Sequence, residues 1–475
     1  MSADNELCFM SARLLADSLR HRSISAREVM SAFLRQIARV NPKINAIVAK
    51  LDDEKCLVLA NQADKRLARG EDVGPLHGLP FAFKDLDPAI GFPMTRGSPI
   101  FRNFMPAEDS VLVERLKRAG VIPIGKTNVS EFGMGSHTYN EVYGTTLNPY
   151  DLTKSAGGSS GGAGAALATG LLPLASGSDL GGSLRNPANF NNIVALRPSA
   201  GLVPTAPAAL PFLGFTVKGP MARSVADVAF LLRAMAGADP RDPLCYSCDP
   251  SVFGQSLQRN LRGTRIAWCL DLGGLPLDRR VRAALEAQRK TFIDLGCAVE
   301  DVCPDLSGAD EIFLTLRARN YWHTLGPLLE KHRNEMKAEA VWQIECGGKL
   351  AGSDVATAMA RHGEFIERFR GFLEQYEFLV CAVNQLPPFD AAINWPKEIE
   401  GVAMENYLSW MKSAYWITPT FCPAISVPAG FTDDGLPVGI QIVGRNRDDY
   451  AVLQIAHAFE QATGFGSSRP AVALT

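Results

Sequence analysis

Residues 155–187 read SAGGSSGGAGAALATGLLPLASGSDLGGSLRNP, a block of glycine and serine between two strand-like runs. A flexible linker would not be followed at once by an apolar helical segment, residues 163–172, and a strand. A phosphate-binding loop is unsupported, because no Gly-Lys-Ser/Thr ends the block and the nearest G-x-G-x-x-G match has Leu167 at its last glycine position. The block instead predicts glycines that allow close backbone approach around two candidate nucleophiles, Ser159 and Ser183.

A serine hydroxyl is a weak nucleophile until a base accepts its proton. Among the seven histidines, His77 and His137 flank loops of interest, and both stay open as that base because no Ser/His/Asp arrangement can be assigned from sequence. Lys84 is the stronger candidate, since it ends the apolar run 79–84 and burial in such a strand favours the neutral amine. The alternative is an ion pair between Lys84 and Asp85, which requires the strand to have ended there because adjacent strand residues point to opposite faces.

The glycine–serine block and the lysine strand together resemble the amidase signature family. The segments that carry the resemblance are spread over nearly the whole chain: residues 80–84, 121–128, 131–134, 148–149, 157–162, 177–185 and 423–430. Both serines at the family's spacing, together with the lysine, make the match specific. The resemblance implies a Ser–cis-Ser–Lys triad composed of Ser183, Ser159 and Lys84.

The reaction that the resemblance implies is cleavage of an amide C–N bond through an acyl-enzyme. Ser183 would attack the carbonyl carbon while its proton passes through the Ser159 hydroxyl to neutral Lys84. Backbone N–H groups stabilise the negative oxygen in this family. The resemblance implies that the backbone N–H groups of Leu180, Gly181, Gly182 and Ser183 have this role. The resemblance implies neither a metal ion nor a cofactor.

Five further residues occupy family positions near the triad. Ser160 is expected to be an additional hydrogen-bond partner of the lysine. Asp179 and Arg185 are expected to form a polar network that fixes the nucleophile loop. Met134 and Gly135 are expected to line the substrate pocket, although a methionine is also a common core residue.

The rest of the chain predicts an α/β fold. Ser25 and Glu28 form a capping box that begins a helix over residues 25–40. Short apolar runs that alternate with helical stretches predict strands, at residues 79–83, 121–124, 174–175, 193–196, 266–270, 378–383, 424–427 and 438–443. The resemblance implies the amidase-signature fold, in which helices cover both faces of a central mixed β-sheet.

The predicted domain organisation is one domain over residues 1–475. Residues 240–250 are the best candidate for a surface excursion, because they are dense in Asp, Pro and Cys. The region that varies with the substrate is expected at about residues 305–420. Strands on both sides of the excursion are expected to belong to one sheet.

Composition excludes several classes of function. Forty-eight Lys and Arg against 50 Asp and Glu give a net charge of −2, which disfavours nucleic acid as a partner. The longest apolar stretch, residues 163–175, is too short and too interrupted to span a membrane, and residues 1–10 show no secretory signal. A cytoplasmic protein is therefore expected, whose partner is a small-molecule amide, and a homodimer is possible.

The small number of cysteines also favours a cytoplasmic protein. Ten cysteines are too sparse for a disulfide scaffold, so reduced thiols are expected. Cys245 and Cys248 have C-x-x-C spacing, but no second pair completes a zinc site. They are therefore interpreted as ordinary loop cysteines.

Aromatic residues in two regions either fill the core, which is the more common place for any single one, or line an apolar pocket, and together they favour a hydrophobic substrate. They are Tyr321, Trp322, Trp410, Tyr415, Trp416 and Phe421. The leading hypothesis is hydrolysis of aryl or alkyl amides, anilides or carbamates. The alternative is the glutamine-hydrolysing A-type subunit of a tRNA amidotransferase complex, which is disfavoured because residues 409–422 lack the acidic residue with which that subunit holds glutamine. A catalytically silent protein that keeps the fold is a third class, which the intact triad disfavours.

Overall fold

The computed structural model describes residues 3–474. Met1 and Ser2, at the start of the N-terminal segment, and Thr475, the last residue of the predicted domain, lie outside the described residues. The α-helices found within residues 3–474 are α1 (Ala3–Phe9), α2 (Ala12–Arg20), α3 (Ala26–Ile44), α4 (Asp53–Ala68), α5 (Val111–Arg118), α6 (Gly161–Ala168), α7 (Arg185–Phe190), α8 (Val225–Met235), α9 (Arg279–Glu286), α10 (Arg289–Asp294), α11 (Ala309–His332), α12 (Ala338–Gly348), α13 (Gly352–Gln375), α14 (Lys412–Tyr415) and α15 (Asp449–Thr463).

The strands of the same part of the chain form one large and two small sheets. They are β1 (Ile47–Val48), β2 (Pro80–Lys84), β3 (Ile122–Thr127), β4 (Ala175–Asp179), β5 (Val194–Arg197), β6 (Val217–Ala222), β7 (Arg265–Trp268), β8 (Ala298–Asp301), β9 (Phe378–Ala382), β10 (Glu398–Ile399), β11 (Val402–Ala403), β12 (Ala424–Phe431) and β13 (Pro437–Val443).

The large sheet has eight strands in the order β4-β6-β5-β12-β13-β9-β7-β8. It is mixed, because β7 pairs in parallel with β8 and β9 while β12 pairs antiparallel with β5 and β13. Strands β5 and β7, which correspond to the predicted strands on either side of residues 240–250, belong to this one sheet, as the sequence predicts. The prediction of an α/β fold with a central mixed sheet flanked by helices is confirmed.

Local sequence explains two helices that pack near the centre. Helix α3 begins after Ser25, where the predicted capping box forms: Ser25 N–H donates to Glu28 at 2.9 Å, and Glu28 N–H donates to Ser25 Oγ at 3.1 Å. Helix α6 consists of glycine, alanine and leucine and is buried at every position. A helix that is apolar all round belongs in the interior, so α6 fixes the glycine–serine block inside the protein.

A second sheet carries the candidate lysine. Strands β1, β3 and β2 form it, with β2 parallel to β3. Strand β2 also packs against β4 of the large sheet. The junction of the two sheets therefore places the end of β2 beside the glycine–serine block.

Strand β6 is not predicted by the sequence pattern. Gly219 and Pro220 interrupt its apolar residues, and both residue types are uncommon inside strands. The strand nevertheless pairs along all of β4, with Ser178 opposite Lys218. This pairing brings a second lysine to the region of Lys84.

The expectation that all cysteines are reduced is wrong for one pair. Cys269, directly after β7, forms a disulfide with Cys303, which follows the parallel neighbour β8. The two positions are 34 residues apart, so only the strand pairing brings them together. Cys245 and Cys248 are free, and residues 240–249 form neither helix nor strand. Within residues 3–474, no helix combines the length and the apolar character that crossing a membrane requires.

Candidate active site

Lys84 is the last residue of β2, and its side chain is fully buried. Its Nζ donates hydrogen bonds to three serine hydroxyls: Ser159 at 2.9 Å, Ser160 at 2.7 Å and Ser178 at 3.0 Å. Ser159 and Ser160 immediately precede α6, whereas Ser178 lies in β4. The structure thus brings Lys84 together with Ser159 and Ser160, which the sequence analysis names, and adds Ser178, which it does not.

The charge state of Lys84 is set by burial. Removal from water lowers the pKa of Lys84 to about 7, and the nearby Lys218 ammonium contributes to this lowering, while Asp87 and Asp179 act in the opposite direction. Lys218 and Asp87 form an ion pair with each other. A substantial fraction of Lys84 is therefore the uncharged amine at neutral pH.

Packing explains why Gly158 must precede Ser159. The Gly158–Ser159 peptide bond is cis, and Ser136 Oγ donates a hydrogen bond of 3.0 Å to the Gly158 carbonyl. A Cβ at Gly158 would lie 2.9 Å from Ser130 Oγ and 3.0 Å from Thr138 Oγ1. Any side chain there would have to displace these neighbours.

Ser183 lies in the short connection between β4 and α7 and is 9% exposed. The preceding Gly182 has φ +113, and a Cβ at this position would lie 2.6 Å from Asn186 and 2.7 Å from Ala414. Both the conformation and the space require glycine. The structure therefore presents Ser183 on a tightly packed turn.

The four predicted oxyanion donors differ in their partners. Gly182 N–H donates to Asp179 Oδ1 at 2.8 Å, so this donor is engaged. Within residues 3–474, no acceptor binds the N–H groups of Leu180, Gly181 or Ser183. These three N–H groups are therefore unengaged in the described part of the chain.

Asp179 is the centre of a buried network. Its carboxylate accepts hydrogen bonds from Arg185 Nε and Nη2, both at 3.0 Å, and from Arg197 Nη1 at 3.2 Å. Leu184 N–H adds a further bond of 3.2 Å. Burial alone would raise the pKa of Asp179, but the two guanidinium groups outweigh it and hold this pKa well below its usual range. The network ties the turn that carries Ser183 to the end of β4.

Asp179→Asn should therefore destabilise the protein by about 3–5 kcal/mol, because two buried guanidinium groups lose their counter-ion. Urea unfolding measures this free energy. Asp294→Asn is the matched control, since Asp294 forms only an exposed pair with Lys290 and its loss should change the free energy of unfolding by less than about 1 kcal/mol. Equal unfolding midpoints for both variants would contradict the structural role of Asp179.

The sequence model of the Amidase family matches residues 28–453. The chain belongs to the Amidase family. An acylamidase of Rhodococcus erythropolis is 35% identical to it over 481 residues, which cover 99% of each protein. An A-type subunit of a glutamyl-tRNA(Gln) amidotransferase from Thermosynechococcus vestitus is 32% identical, and the match covers 94% of this chain and 96% of that protein.

Solved structures agree with the family assignment. A bacterial aryl acylamidase of the amidase signature family superimposes with a TM-score of 0.90 at 26% identity and covers 97% of this chain and 99% of its own. A 6-aminohexanoate cyclic dimer hydrolase gives a TM-score of 0.87 at 25% identity and covers 98% and 99%, respectively. The chain is an amide-hydrolysing enzyme with the amidase-signature fold.

In this amidase, the alternatives to Lys84 as a base have other partners. The His137 ring contacts Ser155 Oγ at 2.7 Å and the Ala391 carbonyl at 3.1 Å, and the His77 ring contacts the Ala63 carbonyl at 3.1 Å. The suggested ion pair between Lys84 and Asp85 is also not the arrangement found. Strand β2 does end at Lys84, but the Asp85 carboxylate accepts a hydrogen bond of 3.1 Å from Thr95 N–H instead.

Met134 and Gly135 lie on a loop of the amidase that passes Ser159. A Cβ at Gly133 would lie 3.5 Å from Ser159 Oγ, and one at Gly135 would lie 3.6 Å from the Tyr407 ring. Met134 is 4% exposed and packs in the apolar cluster of this loop. The loop is therefore close to Ser159, and the buried Tyr407 ring packs against it.

Two polar residues near Lys84 in this amidase are not predicted from the sequence motifs. Ser178 meets Lys84 because β4 packs against β2, and the pairing of β4 with β6 places Lys218 opposite Ser178. A polar residue next to Asp179 in an otherwise buried strand is the one signal that could have indicated Ser178. Lys218 has no such signal, because β6 itself is hidden by glycine and proline.

Proposed function

We propose that this amidase is a serine hydrolase that cleaves aryl or alkyl amides, anilides or carbamates through an acyl-enzyme on Ser183. The observation that carries the proposal is the 2.9 Å hydrogen bond between the Ser159 hydroxyl and the buried Lys84 amine. An amine with a pKa of about 7 can accept a proton at neutral pH and return it in the same cycle.

Acylation would begin when Ser183 Oγ attacks the carbonyl carbon. The Ser183 proton passes to Ser159 Oγ as the Ser159 proton passes to the lone pair of Lys84 Nζ. The oxyanion would accept hydrogen bonds from the unengaged N–H groups near Ser183. The C–N bond then breaks, and the same relay delivers the proton from Lys84 to the leaving nitrogen, which departs as a neutral amine.

Deacylation would repeat the relay with water. The water oxygen attacks the ester carbon while its proton passes through Ser159 to Lys84. The ester C–O bond then breaks, Ser183 recovers the proton, and the carboxylic acid leaves. Ser160 and Ser178 support this exchange, because their hydroxyls accept hydrogen bonds from Nζ and thereby hold the amine beside Ser159.

Aromatic packing at the nucleophile turn favours an apolar substrate. A Cβ at Gly181 would lie 2.9 Å from the Phe313 ring, and Phe313 stacks on Tyr415 with ring centroids 4.4 Å apart. The likeness to an acylamidase and to an aryl acylamidase structure supports the same preference. The alternative, a glutamine-hydrolysing A-type subunit, is supported by the relatives of that name.

A substrate panel tests the proposal. We expect kcat/KM for p-nitroacetanilide to exceed that for glutamine by about 10²-fold, because the apolar walls favour an aryl group. Release of p-nitroaniline and of ammonia measures the two reactions. Activity confined to glutamine, or dependent on added partner subunits and tRNA, would support the amidotransferase alternative instead.

A further inference from the structure

One fully buried cation near the site has no counter-ion. Arg317, in the middle of α11, is 2% exposed. Its Nη1 donates to Gln343 Oε1 of α12, and its guanidinium lies over the rings of Tyr321 and Tyr407, 4.7 and 5.6 Å from their centroids. Within residues 3–474, no carboxylate forms an ion pair with Arg317. A buried charge is costly unless it is paired or used.

The other fully buried arginines of the active-site region are arranged differently. Arg185 and Arg197 both bind the Asp179 carboxylate, at 3.0 and 3.2 Å. These two guanidinium groups therefore share an acidic partner. The lack of such a partner at Arg317 needs another explanation.

The position of Arg317 supplies one. Phe313, Arg317 and Tyr321 are spaced by four residues and share one face of α11. At one end of this face, Phe313 touches the turn that carries Ser183, as the contact with Gly181 shows. At the other end, Tyr321 packs in the apolar cluster that contains Met134.

A second set of contacts leads to the same place. Tyr407, over which the guanidinium lies, is the residue that closes over Gly135. Gly135 belongs to the loop whose Gly133 passes Ser159. Arg317 is thus placed between the loop beside Ser159 and the turn that bears Ser183.

We propose that Arg317 binds a carboxylate group of the substrate, so that the amides this enzyme prefers are apolar at one end and anionic at another. The proposal rests on the proposed function and adds a substrate class to it. A guanidinium presents its N–H donors in a planar fork that matches a carboxylate, and Gln343 binds at only one of its nitrogens. Such a bond is stronger among aromatic side chains than in water.

Two pairs of anilides test the proposal, because the carboxylate can lie on either side of the scissile bond. Glutaryl and pentanoyl p-nitroanilide differ at the end of the acyl chain, whereas 4-acetamidobenzoate and acetanilide differ on the leaving group. We expect the wild-type kcat/KM to be higher for the carboxylate member of one pair. Arg317→Gln should lower the ratio of kcat/KM for that carboxylate substrate to kcat/KM for its neutral partner by about 10- to 100-fold, since a charge-assisted bond is lost. Arg317→Lys should retain part of this ratio.

Arg319→Gln is the matched control. Arg319 lies two residues further along α11, is exposed, and lines a separate cavity of about 840 Å³ with Trp322 and Arg333. Its loss should leave the ratio of kcat/KM values unchanged. A purely structural role of Arg317 would lower kcat/KM for charged and neutral substrates equally and would overturn the proposal.

Binding to an inactive variant separates this proposal from the proposed function. Calorimetry with Ser183→Ala should show tighter binding of the preferred carboxylate anilide than of its neutral partner, and Arg317→Gln in that background should remove the difference. Equal affinities in Ser183→Ala would overturn the role of Arg317 even if anilides are hydrolysed. A carboxylate preference in binding without any hydrolysis would support Arg317 and contradict the hydrolase. If Arg317→Gln does not fold, the proposal is tested by the preference of the wild type for the carboxylate substrate and by the change of that preference in Arg317→Lys.

Discussion

Ser183→Ala should lower kcat/KM for every amide substrate by about 10⁴-fold or more, because the atom that forms the acyl-enzyme is removed. The turn should keep its shape, since its packing depends on Gly182 and on the Asp179 network rather than on the Ser183 hydroxyl. The variant should therefore retain the wild-type circular dichroism spectrum and unfolding midpoint.

Ser176→Ala is the matched control for that loss. Ser176 lies in β4, and its buried hydroxyl has no hydrogen-bond partner within residues 3–474. Removing an unsatisfied hydroxyl costs little, so this variant should keep wild-type activity. Intact-protein mass spectrometry completes the test, because the wild type should carry an acyl group on Ser183 and Ser183→Ala none. An adduct on any other serine would contradict the assignment.

The parts of the site that sequence predicts are those that local sequence determines. Gly158 and Gly182 stand where packing leaves no room for a Cβ. The glycines of this block therefore indicate from sequence where the backbone is closely packed. Lys84 stands in an apolar strand, where its burial follows from its neighbours. The resemblance to the amidase signature family adds the pairing of Ser159 with this lysine, which the structure contains, and the role of Ser183, which stays a prediction.

The parts that sequence does not predict depend on contacts between distant segments. Lys218 comes to lie opposite Ser178 through a strand pairing that glycine and proline hide, and Cys303 meets Cys269 only through the pairing of β7 with β8. Arg317 is a charged residue within a helix, which usually indicates a solvated face. Only the packing of α11 against α12 shows that it is buried.

Lys84→Met should lower kcat at pH 7 by about 10³-fold, because the relay loses its final acceptor. The wild type requires the neutral amine. Below the pKa of Lys84, about 7, the ammonium predominates and activity should fall about tenfold per pH unit, whereas above it activity should reach a plateau. In Lys84→Met the residual rate should instead keep increasing with pH, since hydroxide is then the only base.

Two neighbouring variants test whether this acidic limb belongs to Lys84. The Lys218 ammonium lowers the pKa of Lys84, and the Asp87 carboxylate raises it. Lys218→Met should therefore move the limb of the kcat/KM profile to higher pH, and Asp87→Asn should move it to lower pH. Each pH profile is measured with a substrate that does not titrate between pH 5 and 9. The opposite signs matter. A general loss of packing would shift the acidic limbs of the two variants in the same direction or not at all. If Lys84 is the base, its pKa must instead rise when Lys218 is removed and fall when Asp87 is removed.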